Sequence, residues 1–199
     1  MPTSYSKFKL EDIKALGIDA KYGLLFQGVE IAEKEPSALL LAVLERNQRS
    51  RMGSEKAKSE KIIAPILEEL EATNRGHLAI FSGYQFNIDK ALGLTGFCDF
   101  IFSKDPKALD IQSPIFCIAE SKNENLDNGV AQCIAEMYAA QIFNQKNNTE
   151  LPAIYGTVTF GLQWKFLQLI DKQAVVDEKI YYLNELPKLL GVLNYIVNQ

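Results

Sequence analysis

Apolar residues before position 75 recur every three or four places, and after it they gather into short dense runs. In the first part, LLLAVLER predicts a helix over 36–48 with Pro36 in its first turn. Ile62, Ile63, Ile66, Leu67 and Leu70 predict a second over 54–73, kinked at Pro65, which lacks the N–H a helix interior needs. The opening MPTSYSKFKLEDIKALG reads as a polar start running into a short amphipathic helix. After Asn74-Arg75-Gly76 the segments LAIFSGYQFNI and LTGFCDFIF, rich in aromatic and β-branched residues and separated by the turn DKALG, predict a hairpin. PIFCIAESK, with five consecutive apolar residues, predicts a central strand covered on both faces. A helix capped by Asp127 or Asn128 follows, with Val130, Ile134, Met137 and Tyr138 on one face, and it ends before QKNNTE. AIYGTVTF, WKFLQLID and AVVDEKIYYL read as three more strands, and 185–197 as a closing helix.

This order predicts an α/β fold. At 199 residues, 47% of them hydrophobic, the chain fits a single domain, 1–199. Within it, 1–53 forms a helical N-terminal extension and 54–199 the core, since no linker or repeat divides the chain. No apolar run approaches the roughly 20 residues of a membrane helix, and the N-terminus lacks the basic-then-apolar order of a secretory signal, so a cytoplasmic location is expected. Cys98, Cys117 and Cys133 are odd in number, lack paired spacing and sit among apolar neighbours, as buried free thiols do.

A net charge of −4 gives no global attraction to nucleic acid. Arg46, Arg49, Arg51, Lys56, Lys58 and Lys61 do bring six positive charges into 16 residues, interleaved with Glu45, Glu55 and Glu60. That stretch reads equally as a phosphate-binding patch or as a solvated helix junction.

The chemically unusual positions lie in the two densest strands. Asp99 is embedded in TGFCDFIF, where an unpaired carboxylate is costly. Glu120 and Lys122 end the central strand and, two apart, point to one face. Two such carboxylates supply the hard oxygen ligands Mg²⁺ prefers, and a lysine beside them can orient a water or offset transition-state charge. The bare pattern [D/E]-x-K occurs five times, at Asp12, Asp19, Asp105, Glu120 and Asp177. Glu120 alone follows an uninterrupted apolar strand and has a strand-embedded Asp, 21 residues upstream. The competing structural reading is an ion pair between Glu120 and Lys122 at a sheet edge, with Asp99 capping a turn.

Helix, hairpin strand bearing Asp99, strand ending Glu120-x-Lys122, then helix: this succession resembles the PD-(D/E)XK, restriction-endonuclease-like superfamily, over about 54–145. The resemblance implies a central mixed sheet flanked by helices. It also implies a site in which Asp99 and Glu120 bind Mg²⁺ or Mn²⁺ and Lys122 is catalytic. Cys98 stands where the family pattern has proline. Members often carry a glutamate on the helix before the hairpin; SEKIIAPILEEL resembles that element, with Glu60 as the counterpart and third metal ligand, and Glu68 as the alternate. Gln132 matches a polar residue found beside the site in similar proteins. YGTVTFGLQWKFLQL resembles a strand pair of restriction-subunit-like nuclease domains, with Gly161 at the turn; Trp164 there reads as hairpin packing in preference to a base-stacking platform. His77, the one histidine, has no ligand partner at metal spacing, which argues against a histidine-based hydrolase.

The function expected on this reading is a Mg²⁺-dependent endonuclease hydrolysing DNA phosphodiester bonds, with a homodimer as the simplest way to cut both strands. The alternatives are a non-catalytic nucleic-acid- or partner-binding module on the same fold, and a structural subunit of a larger complex.

Overall fold

The computed structural model describes residues 2–107, 109–122 and 126–199, apart from the side chain of Asn128. Eight strands form one mixed sheet: β1 (Asp19–Gly23), β2 (Ala79–Gln85), β3 (Phe97–Ser103), β4 (Ile115–Ser121), β5 (Ile154–Thr159), β6 (Gln163–Ile170), β7 (Gln173–Asp177) and the short β8 (Tyr181–Tyr182). The spatial order is β1-β7-β6-β5-β4-β3-β2, with β8 beside β6. β4 pairs with β5, and β1 with β7, in parallel. The other pairs are antiparallel.

The helices are α1 (Leu10–Ala15), α2 (Ala38–Gln48), α3 (Glu55–Lys58), α4 (Ala64–Thr73), α5 (Asp127–Lys146) and α6 (Leu186–Val197). They cover the sheet on both faces. One apolar layer joins α1 and α5 to Ile101, Ile118, Val158 and Leu167, and the other joins α2, α4 and α6 to Phe100, Phe102, Ala119 and Phe166. All seven residues of β4 are buried, as its unbroken apolar run predicts for a strand between two helical layers. Among the described residues no helix is long and apolar enough to cross a membrane.

Ahead of Pro65, where the sequence predicts a kink, the helical stretch passes through a five-residue π turn, Ser59–Ile63, between α3 and α4. Pro65 cannot donate to the Lys61 carbonyl, and the Asn47 side-chain amide fills that position at 2.8 Å. α2 begins at Ala38, two residues later than expected, because the Ser37 hydroxyl caps it by accepting the Leu40 N–H at 3.1 Å.

Three expectations need correction. Residues 1–53 are not wholly helical, since Asp19–Gly23 joins the sheet as an edge strand parallel to β7. An edge strand is satisfied by one row of ladder bonds and little apolar burial, so it leaves no hydrophobic alternation to read. The segment AVVDEKIYYL is two strands, broken where Asp177 accepts the Lys179 N–H and the Tyr181 hydroxyl, both at 3.2 Å. Among the described residues α5 takes no side-chain cap: Leu126 occupies the cap position and Asp127 lies in the first turn, paired with Lys165 at 2.9 Å, while the Asn128 side chain lies outside the described residues.

Candidate active site

β4 is buried along its whole length and yet carries Glu120, 3% exposed. Strand alternation decides where this carboxylate points. Ile118 belongs to the α5 layer and Ala119 to the opposite one, so Glu120 faces α5. On β3, Cys98 and Ile101 both join the α5 layer, so alternation is interrupted beside Asp99, whose charge nonetheless acts on Glu120 and Lys122. Phe100 pairs with Ala119 and Ile101 with Ile118, so Asp99 and Glu120 stand one residue beyond the last paired rung of β3 and β4. Asp99 does not cap a turn: it sits within β3, and its Oδ2 accepts the Ser121 N–H of β4 at 2.8 Å.

Lys122 lies just past β4, where its N–H donates to the Thr159 carbonyl at 2.7 Å and extends the β4–β5 ladder by one rung. Its side chain therefore falls on the Glu120 side. The ammonium donates to Glu120 Oε1 and, at 3.0 Å, to Gln132 Oε1 on α5. Its aliphatic stem crosses α5 at Gly129. A Cβ there would lie 2.5 Å from Val158 Cγ1, 3.0 Å from Lys122 Cγ and 3.1 Å from Lys122 Cε. Gly129→Ala should force α5 off the sheet or push the lysine out of its seat. The expected result is a loss of about 1–3 kcal/mol in urea melts, with a fall in any activity that depends on Lys122. A variant that melts and acts like wild type would show that this close approach does not seat the lysine.

Burial pushes the Glu120 carboxyl up to about 8, the neighbouring Asp99 charge adds to the rise, and Lys122 opposes it by charge and hydrogen bond. Asp99 is raised as well, by burial first, against the Ser121 N–H and the Lys122 charge. For Lys122 burial favours the neutral amine, but Glu120, Glu55 and Asp99 outweigh it and hold the ammonium protonated. The pair is thus uneven. Lys122 gains from its partner, whereas Glu120, far more buried, loses more hydration than one lysine returns. Glu120 Oε2 is buried and has no hydrogen-bond partner among the described residues. A buried oxygen of that kind, beside a second carboxylate, fits a cation.

Compared with known proteins, the chain matches no family model and no curated sequence. The site must therefore be read from its own geometry.

That geometry brings four of the five residues singled out in the sequence together: Asp99, Glu120, Lys122 and Gln132. Glu60 is exposed and pairs with Lys56 at 3.2 Å. From the same helical stretch it is Glu55, at the start of α3, whose charge acts on Glu120 and Lys122. Nothing in the sequence distinguishes Glu55 from an ordinary solvated helix-start acid. Glu68 lines a cleft of about 530 Å³ formed by α2 and α4, which pack on the opposite face of the sheet. Trp164 is fully buried and donates to the Gly161 carbonyl at 3.0 Å, so it packs the hairpin as expected. His77 is exposed. The three cysteines are buried free thiols. Of the basic stretch, Arg49 pairs with Glu45 and Lys61 donates to the Arg51 carbonyl, contacts of a solvated helix junction.

One functional candidate was not foreseen. Glu136, fully buried on α5, accepts the Gln132 side-chain N–H at 3.0 Å. The readable signal was the spacing: Gln132 and Glu136 lie four apart, one above the other on a helix face that also carries Cys133 and Met137.

Proposed function

We propose that the chain is a Mg²⁺-dependent nuclease of the PD-(D/E)XK kind, hydrolysing phosphodiester bonds in DNA. One observation carries this reading. Two carboxylates from adjacent strands act on one another through their charge, and a lysine held protonated lies between one of them and α5. A purely structural pair would need neither the second acid nor an orphaned buried oxygen on the first. The succession α4, β2–β3, β4, α5 is also the order in which that superfamily carries its site, and β4–α5–β5 supplies a parallel crossover that seats a helix over it.

Asp99 and Glu120 would hold Mg²⁺ or Mn²⁺, which when bound polarises the phosphate and lowers the pKa of a water. The chain's own groups do the rest. Ser121 N–H fixes Asp99, Gln132 and Glu120 fix the Lys122 ammonium, and that ammonium orients an attacking water and offsets charge gained by the phosphate oxygens. The acids start with raised affinity for protons, so a dication in place of a proton relieves their burial.

The deciding experiment is cleavage of plasmid and single-stranded DNA with Mg²⁺ or Mn²⁺, with light scattering on the same samples to test for a homodimer against the 22.3 kDa monomer. Cleavage with either metal, abolished by chelation, is expected. The acidic balance of −4 favours a second reading, a binding module in which the acids serve structure. DNA binding with no cleavage under any divalent metal would select it.

A further inference from the structure

Glu136 is a costly residue for its position. It sits fully buried on α5, inside the layer formed with Cys98, Cys133 and Met137, where a methionine or leucine would pack without desolvating a carboxyl group. Among the described residues no cation pairs with it, and its Oε2 has no hydrogen-bond partner. Among the described residues its side-chain hydrogen bond is with the Gln132 amide.

The chemistry of that amide makes the contact directional. Lys122 carries an ammonium, which donates and cannot accept, so the Gln132 group facing it must be the carbonyl oxygen. The amide NH₂ is then turned inward at a residue that is itself buried, where it requires an acceptor. Glu136 Oε1 is that acceptor. Remove it, and the buried NH₂ loses its partner. The amide is then free to turn over, bringing N–H groups against the ammonium and releasing Lys122 on its α5 side.

We propose that Glu136 is a positioning residue of the site: it fixes which end of the Gln132 amide faces Lys122 and so holds the ammonium in place over the sheet. This rests on the nuclease reading above for its catalytic consequence, and on the hydrogen-bond chain Glu136–Gln132–Lys122 for its geometry. An acceptor oxygen is all the role demands, so a carboxamide can serve in place of the carboxyl, whereas an apolar side chain of similar volume cannot.

The test uses the full chain with E136Q and E136M, read in two ways. In cleavage assays E136Q should keep most of the wild-type kcat, while E136M should lose about 10- to 100-fold in kcat with little change in KM, the usual cost of removing a supporting hydrogen bond. E136M sheds a desolvated acid but leaves the buried Gln132 NH₂ without an acceptor, so thermal melts serve to show that the variant is folded at the assay temperature. A merely structural Glu136 predicts that the folded E136M is as active as wild type. Independently of activity, the Gln132 side-chain amide resonances should be slow to exchange in wild type and E136Q, and should move and exchange faster in E136M.

E136M cleaving at the wild-type rate, or Gln132 amide signals unaltered by it, overturns the proposal while leaving the nuclease reading standing. A wild-type protein that cleaves no DNA with Mg²⁺ or Mn²⁺ overturns the nuclease reading and with it the catalytic role of Glu136, whatever the amide signals report.

Discussion

Lys122→Ala is expected to leave divalent-metal binding intact and to lower DNA cleavage by about 10²- to 10³-fold, the typical cost of deleting one preorganised group that stabilises transition-state charge. The prediction follows from where the lysine stands. It contacts Glu120 Oε1 and Gln132 but leaves Glu120 Oε2 and Asp99 for a cation, so its removal deletes no ligand. It does remove a positive charge that competes with the metal, and this favours the dication. It also withdraws support from an ionised Glu120, so metal titration belongs above the Glu120 value of about 8, where the proton no longer competes. Asp99→Ala behaves differently: metal affinity and cleavage should fall together, because the acid whose charge acts on Glu120 is gone. Calorimetric titration with Mn²⁺ beside plasmid cleavage separates the two. A Lys122→Ala protein that cuts DNA at the wild-type rate would remove the lysine from the mechanism, and one that loses cleavage and metal binding together would make it a structural support for Glu120.

The parts of the molecule legible in the sequence are those where one physical demand dominates. β4 needs apolar residues on both faces, and its run from Ile115 to Ala119 announces that without ambiguity. Asp99 and Glu120 stood out because each violates its strand's pattern, and the register that joins them follows once β3 and β4 are antiparallel neighbours. β1 was illegible for the opposite reason. At the sheet margin beside β7 it buries little, so Asp19–Gly23 reads as any polar loop. Cap positions failed at the level of a single residue: Ser37 had the hydroxyl to cap α2, and a proline before it drew the boundary two places early.

Charge on helices was harder still. Glu55, Glu60 and Glu68 have the same local appearance, and only the way the π turn and α4 set the helical stretch against the sheet separates the one that acts on Glu120 from those that do not. Glu136 could have been suspected. A glutamate between Ile134 and Met137 on a buried face breaks the helical pattern as Asp99 breaks the strand pattern, and the lesson of Asp99, that a misplaced acid in an apolar element marks a site, applies equally to helices.

The same burial makes the metal-free protein pH-sensitive in a direction that tests the cation site. Burial pushes the Glu120 carboxyl from its ordinary 4.5 up to about 8 in the folded chain. Asp99 and Glu136 are raised in the same sense, each chiefly by burial. Groups of this kind hold more protons in the folded chain than in the unfolded one, so stability is greatest below the ordinary carboxylate value and falls as pH climbs toward about 8. Lys122, also raised, adds stability that is constant below its ordinary 10.5 and is lost only above it, so it does not disturb this window. Mg²⁺ bound by Asp99 and Glu120 requires both acids ionised, so it should stabilise little at about pH 5 and much more at about pH 9. At a concentration about 100-fold above Kd the stabilisation is about 2.7 kcal/mol, or a rise in Tm of roughly 5–10 °C for a chain of this size. Glu120→Gln should flatten the pH dependence and remove most of the Mg²⁺ effect, since it deletes both the buried titrating acid and a ligand. Thermal melts of both proteins across this pH range, with and without Mg²⁺, give the answer. A Mg²⁺ shift that is absent at high pH, or equal in the Gln variant, would mean that Glu120 holds a proton or Lys122 and no cation.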